Sequence, residues 1–270
     1  MIPKLIDVLD VLEKVAPTQF AEPWDNPGLQ VGYYSQEVRK IFFALDPTLK
    51  ALRSAYKHKA QVLLTHHPLI FTPLSRIDIS EYPGNVIFEA AKSGVSVVAA
   101  HTNLDVSRGG INDILGNLLN LQNMEVLKEI AGIDGVGLGR IGDLSEPIEL
   151  SDAEEFVMRI LGNRNLKVVG QGNAEIHRVA VIGGSGGSFI SLASEKGADL
   201  LLTGDVSHHH ALEAESSGIA LIDGGHFYTE KVAFGIFARD FGSMIAAQGW
   251  QVTVEVDMDE TNPIRDGSER

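Results

Sequence analysis

Apolar residues at Leu5, Val8, Leu9, Leu12 and Val15 recur at the spacing of one helical face, so an amphipathic helix is expected over residues 4–16. Pro17 and Pro23 close it. Beyond residue 40 the pattern changes to short continuous apolar runs separated by helical periods. Strands are expected at 40–46, 61–65, 95–100, 178–182, 199–203 and 219–222. Helices are expected at 48–59, 84–93, 111–121, 151–161, 189–196 and 227–246. Runs such as Val62-Leu-Leu64 do not alternate with polar residues, which marks parallel strands covered on both faces. Residues 251–256 do alternate and read as a further strand. Residues 22–32 are dense in turn formers and read as a loop. The glycine-rich stretch 132–142 reads as a hairpin or loop, and the polar tail 257–270 as frayed.

An internal repeat organises these elements. Lys40–Thr65 aligns without gaps to Arg178–Thr203, at a constant offset of 138. Ile41-Phe-Phe-Ala lies over Val179-Ala-Val-Ile, and Ala60-Gln-Val-Leu-Leu-Thr65 over Ala198-Asp-Leu-Leu-Leu-Thr203. Both copies read strand, helix, strand, and the next strand of each leads to a histidine, His101 or His226. The expected fold is therefore α/β, with two similar halves from duplication at 1–125 and 126–270. A ligand site is expected in the cleft between the halves, at the carboxyl ends of the strands.

Composition narrows the chemistry. The chain of 270 residues has no cysteine, which rules out disulfides, thiolate nucleophiles and zinc–sulfur sites and fits a cytoplasmic location. The formal charge of −14 argues against a sequence-independent grip on nucleic acid. No apolar run reaches the ~18 residues of a membrane span. The acids within Met1–Asp10 argue against a signal peptide. No Gly-x-Ser-x-Gly elbow supports a serine hydrolase.

Histidines and carboxylates remain. His66 and His67 end the strand at 61–65, and Pro68 follows. His101–Asp105 and His226–Glu230 are both His-x-x-x-carboxylate, and i and i+4 share a helix face. For His101 the neighbouring Asn103 and Gly109 favour a loop over a helix. Imidazole and carboxylate without thiolate suit Zn, Fe, Mn, Ni or Co, and the number of donors is enough for two ions.

Five ordered stretches together resemble the YbgI or Nif-three-like family, also called GTP cyclohydrolase 1 type 2 homologues. They are Trp24-Asp-Asn-Pro-Gly-Leu-Gln-Val-Gly32, Leu64-Thr-His-His-Pro68, His101-Thr-Asn-Leu-Asp105, Thr203-Gly-Asp205 and Asp223-Gly-Gly-His-Phe-Tyr-Thr-Glu230. The resemblance implies a dinuclear metal centre between two α/β halves, in a toroidal homohexamer. It implies the ligands His66, His67, Asp105, His226 and Glu230, with Glu230 bridging. His101 matches a family histidine, as an additional ligand or a supporting residue. The length matches the short form of the family, with no inserted middle domain.

Two functions follow as expectations. The first is a metal-dependent hydrolase acting on a nucleotide or phosphate-type substrate, with GTP ring opening implied by the family's name. The second is non-enzymatic metal storage, delivery or regulation. Asp205 is a candidate supporting group or general base. His208, His209 and His210 begin a helix after the N-cap Ser207, and His208 or His209 is expected to face the cleft, either as an added metal contact or merely lining the cavity. Gly183–Ser188 reads either as a phosphate-cradling loop or as a tight turn. Trp24 is expected to pack between the halves, and Asp25 to bond to backbone.

Overall fold

Apolar runs that need cover on both faces pair here as parallel strands, and their register follows the repeat. The structure is a computed structural model in which residues 1–130 and 132–264 are described. In chain order its first elements are α1 (Leu5–Val15), β1 (Gly28–Val31), β2 (Lys40–Ala44), α2 (Leu49–Lys57), β3 (Val62–Thr65), α3 (Gly84–Ser93) and β4 (Ser96–Ala99). Next come α4 (Thr102–Val106), α5 (Ile111–Leu118), β5 (Gln122–Glu129), β6 (Gly137–Glu149), α6 (Leu150–Leu161), β7 (Lys167–Val169) and β8 (Glu175–Ser185). The chain continues through α7 (Ile190–Glu195), β9 (Leu200–Gly204), α8 (His208–Ser217), β10 (Ala220–Asp223), α9 (His226–Ala247) and β11 (Thr253–Val256).

The chain forms two compact units. One holds Met1–Leu104 and Phe234–Thr261, the other Asp105–Ala233 and the chain from Asn262. This differs from the expected linear division at residue 125. The difference has a physical cause: β2 would otherwise be an open edge, and the C-terminal segment returns to cover it. β11 pairs parallel to β2, with Val254 opposite Ile41. Phe234, Phe237 and Phe241 of α9 place their rings 5.4, 6.3 and 6.0 Å from that of Phe43. Phe43 is fully buried among them, so Phe43→Ala is expected to cost about 3–5 kcal/mol, read by urea unfolding.

In the first unit the strand order is β1-β4-β3-β2-β11, and in the second β5-β6-β8-β9-β10-β7. The first contains four adjacent parallel strands, β4-β3-β2-β11, and the second three, β8-β9-β10, each run bounded by an antiparallel edge, β1 on β4 and β7 on β10. Ile41 faces Val62 in one sheet and Val179 faces Leu200 in the other, so the offset of 138 survives as backbone register. A side-chain device repeats too. The Gln61 amide oxygen accepts from the backbone of Arg39 and Lys40 at 2.8 and 3.0 Å. Asp199, 138 residues later, accepts from His177 and Arg178 at 2.8 Å each. Leu52, Leu63 and Val86 lie in the first core, and Ile141, Leu201 and Leu221 in the second.

Two edge strands were not expected. β1 and β7 are short, partly exposed edges, so neither carries a continuous apolar run. β5 and β6 form the hairpin around the glycine-rich stretch. The tail is also better anchored than its polarity suggests. Asp257 donates its N–H to Phe43 O at 2.7 Å, and the Glu260 carboxylate accepts from Leu45 and Asp46 N–H at 2.8 Å each. Residues 265–270 of the expected frayed tail lie outside the described residues. Among the described residues no helix is long and apolar enough to cross a membrane.

Candidate metal centre

In the first unit, side chains that follow three adjacent parallel strands converge. β2 leads to Asp46, β3 to His66 and His67, and β4 to His101. Parallel strands carry their chain ends to one edge of the sheet, where ligand sites of such sheets form. One donor atom from each of His66, His67 and His101 lies within 4.8 Å of the others. That trio can hold a metal ion.

The orientation of each ring is set from behind. His66, fully buried, places Nδ1 2.8 Å from the Ala100 carbonyl. A carbonyl only accepts, so Nδ1 carries the proton and the lone pair falls on Nε2. His67 Nδ1 is 2.7 Å from Asp46 Oδ1, and His101 Nδ1 is 2.7 Å from Asp25 Oδ1. A carboxylate behind an imidazole is the usual support of a metal-binding histidine.

Asp25 does more than bond to backbone. Its other oxygen accepts from the Thr102 N–H at 3.0 Å and the Thr102 hydroxyl at 2.5 Å. Burial alone would push its carboxyl up, but hydrogen bonds from His101, Thr102 and Asn26 and the His101 charge hold it down at about 2. Against the usual 3.8, the lowered value is a contribution to the stability of the folded chain. The contribution is full above pH about 4 and is lost as pH falls through about 2. Asp25→Asn is expected to flatten the dependence of stability on pH across that window, measured by urea titrations.

The segment after His101 is helical (α4), not the loop its asparagine suggested. Asn103 bonds outward: its Oδ1 accepts from His101 N–H at 2.9 Å, and its Nδ2 donates to Ala16 O at 2.7 Å. Trp24 lies on Phe71 and His101 of its own unit, with ring centres 5.5 and 6.0 Å away.

In the second unit His226 opens α9, and Glu230 follows one turn later. The i, i+4 spacing brings His226 Nε2 to 3.0 Å from Glu230 Oε2, while His226 Nδ1 lies 2.6 Å from Asp205 Oδ2. The imidazole thus stands between two carboxylates. A neutral ring donates to only one of them, so a proton or a cation must lie on the Nε2 side. That donor set fits a divalent metal. Asp205 therefore stands on the Nδ1 side of the His226 ring.

Two glycines make room for this pair. A Cβ on Gly184 would lie 2.2 Å from Glu230 Oε1, and one on Gly204 would lie 2.4 Å from His226 N. The stretch 183–188 is not an open phosphate loop. Gly183 N–H donates to Asn112 Oδ1 at 2.9 Å and Gly184 N–H to Thr229 Oγ1 at 3.1 Å, within and beside β8. Asp105 is buried at the end of α4, where its carbonyl accepts from the same Asn112 at 2.9 Å.

His208 and His209 are exposed on the first turn of α8, and among the described residues neither joins a cluster of donor atoms. His210 instead closes the helix cap with Ser207. Sequence reasoning missed Asp46 as a functional residue, although its position just past β2 is where such a group would be sought. A cavity of about 520 Å³ opens beside His226, lined in part by Asn163, Lys167, Asp205, Ser207 and Tyr228.

The sequence profile of Duf34/NIF3 (NGG1p interacting factor 3) matches residues 3–263. The chain belongs to the Duf34/NIF3 family. The resemblance carried by the five motifs is thereby confirmed. The chain is also similar to the "GTP cyclohydrolase 1 type 2 homolog" of Clostridium perfringens, 34% identical over 228 residues, covering 84% of this chain and 87% of that one. The fold matches the crystal structure of a Bacillus cereus protein related to NIF3, with TM-score 0.91 and 26% identity, covering 98% of this chain and 99% of that one. It also matches the structure of protein YbgI, with TM-score 0.83 and 21% identity, covering 97% and 100%.

Proposed function

We propose that the chain binds two divalent metal ions through His66, His67, Asp105, His226 and Glu230, with Glu230 bridging, and hydrolyses a nucleotide or phosphate-type substrate. One observation carries this reading. Each of His66, His67, His101 and His226 has an oxygen acceptor on Nδ1. Imidazoles supported on Nδ1 by a carboxylate or a carbonyl are the arrangement that metal-binding histidines share. Buried Asp105 and Glu230 support it further, since desolvated carboxylates need a compensating charge.

When bound, such ions supply Lewis acidity to the substrate and a stronger nucleophile from water at neutral pH. The residues of the chain do the positioning. Asp46 fixes the His67 ring, Asp205 fixes His226 and keeps a proton at its Nδ1, and Asp25 ties His101 to the start of α4. The cavity beside His226 has the volume of a nucleotide-sized site. The name of the Clostridium perfringens relative makes GTP the first substrate to test. Phosphate release and ring opening would be followed for GTP and a set of phosphate esters, with metal-loaded wild type and His67→Ala side by side. Full turnover in the variant would defeat the hydrolase reading.

The exposed His208 and His209, with rings 6.1 Å apart, favour a second reading of metal storage or delivery. It predicts ions that exchange with an acceptor protein and no turnover of any nucleotide. The assembly we propose is the homohexamer implied by the family resemblance, located in the cytoplasm. It would have a mass about six times the 29.2 kDa chain.

A further inference from the structure

We infer that Trp24 and Phe71 form an aromatic platform that binds a planar ring of the ligand beside the three histidines. This rests on the proposed function in one respect: a ligand must come to the His66–His67–His101 cluster. The observation behind it is a large apolar surface left in water at a chemically active place. Trp24 is 55% exposed and Phe71 51% exposed. Their rings lie 5.5 Å apart at 46° to each other, and each meets the His101 ring nearly at right angles, at 6.0 and 6.4 Å.

These rings are held, not merely exposed. Next to Trp24, Asp25 bonds His101 and the Thr102 N–H. One residue further on, Asn26 Nδ2 donates to Ile70 O at 2.7 Å. Gln30 completes the lock: its Nε2 donates to Asn26 O at 2.6 Å, and its Oε1 accepts from Ile70 N–H at 3.1 Å. The loop bearing Trp24 and the loop bearing Phe71 are therefore one fixed piece. A surface ordered in advance loses little entropy on binding, which is what a recognition platform needs. A planar ring is the matching chemistry, because stacking uses the π-face and tolerates variation in the ring. The same residues that orient His101 fix Trp24, so ring binding and metal binding share one scaffold.

The test uses the full chain with Trp250→Phe, which leaves Trp24 as the sole tryptophan. Its fluorescence is titrated with GTP and with inorganic tripolyphosphate, which has the charge but no ring. Quenching by GTP alone is expected. Calorimetry on Trp24→Ala is expected to show GTP affinity about tenfold lower or worse, with tripolyphosphate unchanged and Trp24→Phe close to wild type. Binding of GTP with neither quenching nor loss of affinity in Trp24→Ala would overturn the platform. So would a drop in assembly mass in Trp24→Ala at unchanged affinity, since the rings would then be a contact between copies. If GTP does not bind at all, guanosine, nicotinamide and riboflavin are titrated instead. Quenching by one of these keeps the platform while the GTP reading falls, and quenching by none overturns the platform. Should Trp24→Ala misfold, the quenching and the Trp24→Phe affinity decide.

Discussion

Replacing His67 with alanine is expected to lower both metal affinity and turnover by more than a hundredfold. The scale comes from its supporting residue. Removing a carboxylate behind a metal-binding imidazole typically costs about 10–100-fold in affinity or activity, and loss of the imidazole itself must cost more. Asp46→Asn is the internal comparison. It keeps the size of the group 2.7 Å from His67 Nδ1 but removes its charge, so it should fall within the smaller range. Metal titration and GTP turnover measured on both variants check the order. Equal effects would mean that His67 acts only through packing.

Gly184→Ala is expected to disable the second unit's donors without touching any of them. The residue sits at φ +67°, where a side chain costs about 1–2 kcal/mol in backbone strain alone. The added Cβ would stand 2.2 Å from Glu230 Oε1, a separation real atoms do not tolerate. Glu230 is only 4% exposed, so its carboxylate must shift within a buried setting, beside Thr229, which is already bonded to the Gly184 N–H. A folded variant with reduced metal capacity is the expected result, read by thermal unfolding together with metal titration. An unchanged metal capacity would show that Glu230 is not a ligand.

Much of this was legible in the chain, for reasons that differ by element. β2, β3, β9 and the middle of β8 were readable because strands covered on both faces read as nearly continuous apolar runs, and the offset of 138 fixed which of them correspond. His226 and Glu230 were readable because one helical turn sets their distance. The supporting acids were harder to see. Asp46 stands 21 residues from His67 and Asp25 stands 76 from His101, and only folded strands bring them together. Edge strands such as β7, three residues long, carry too few side chains to show a period. The return of β11 to β2 answers a need of the first sheet's edge, which no local pattern at residues 253–256 announces. Tail residues Asp257 and Glu260 look like solvated acids, yet their bonds are made to the end of β2 and the residues just after it.

The most direct test of the central claim is metal content per chain by plasma mass spectrometry. The protein would be purified without chelators or affinity metals, alongside His66→Ala. About two ions per chain, falling sharply in the variant, is the expected result. A chain that carries no metal and takes none up on reconstitution with Zn, Fe, Mn, Ni or Co would contradict both the hydrolase and the storage readings.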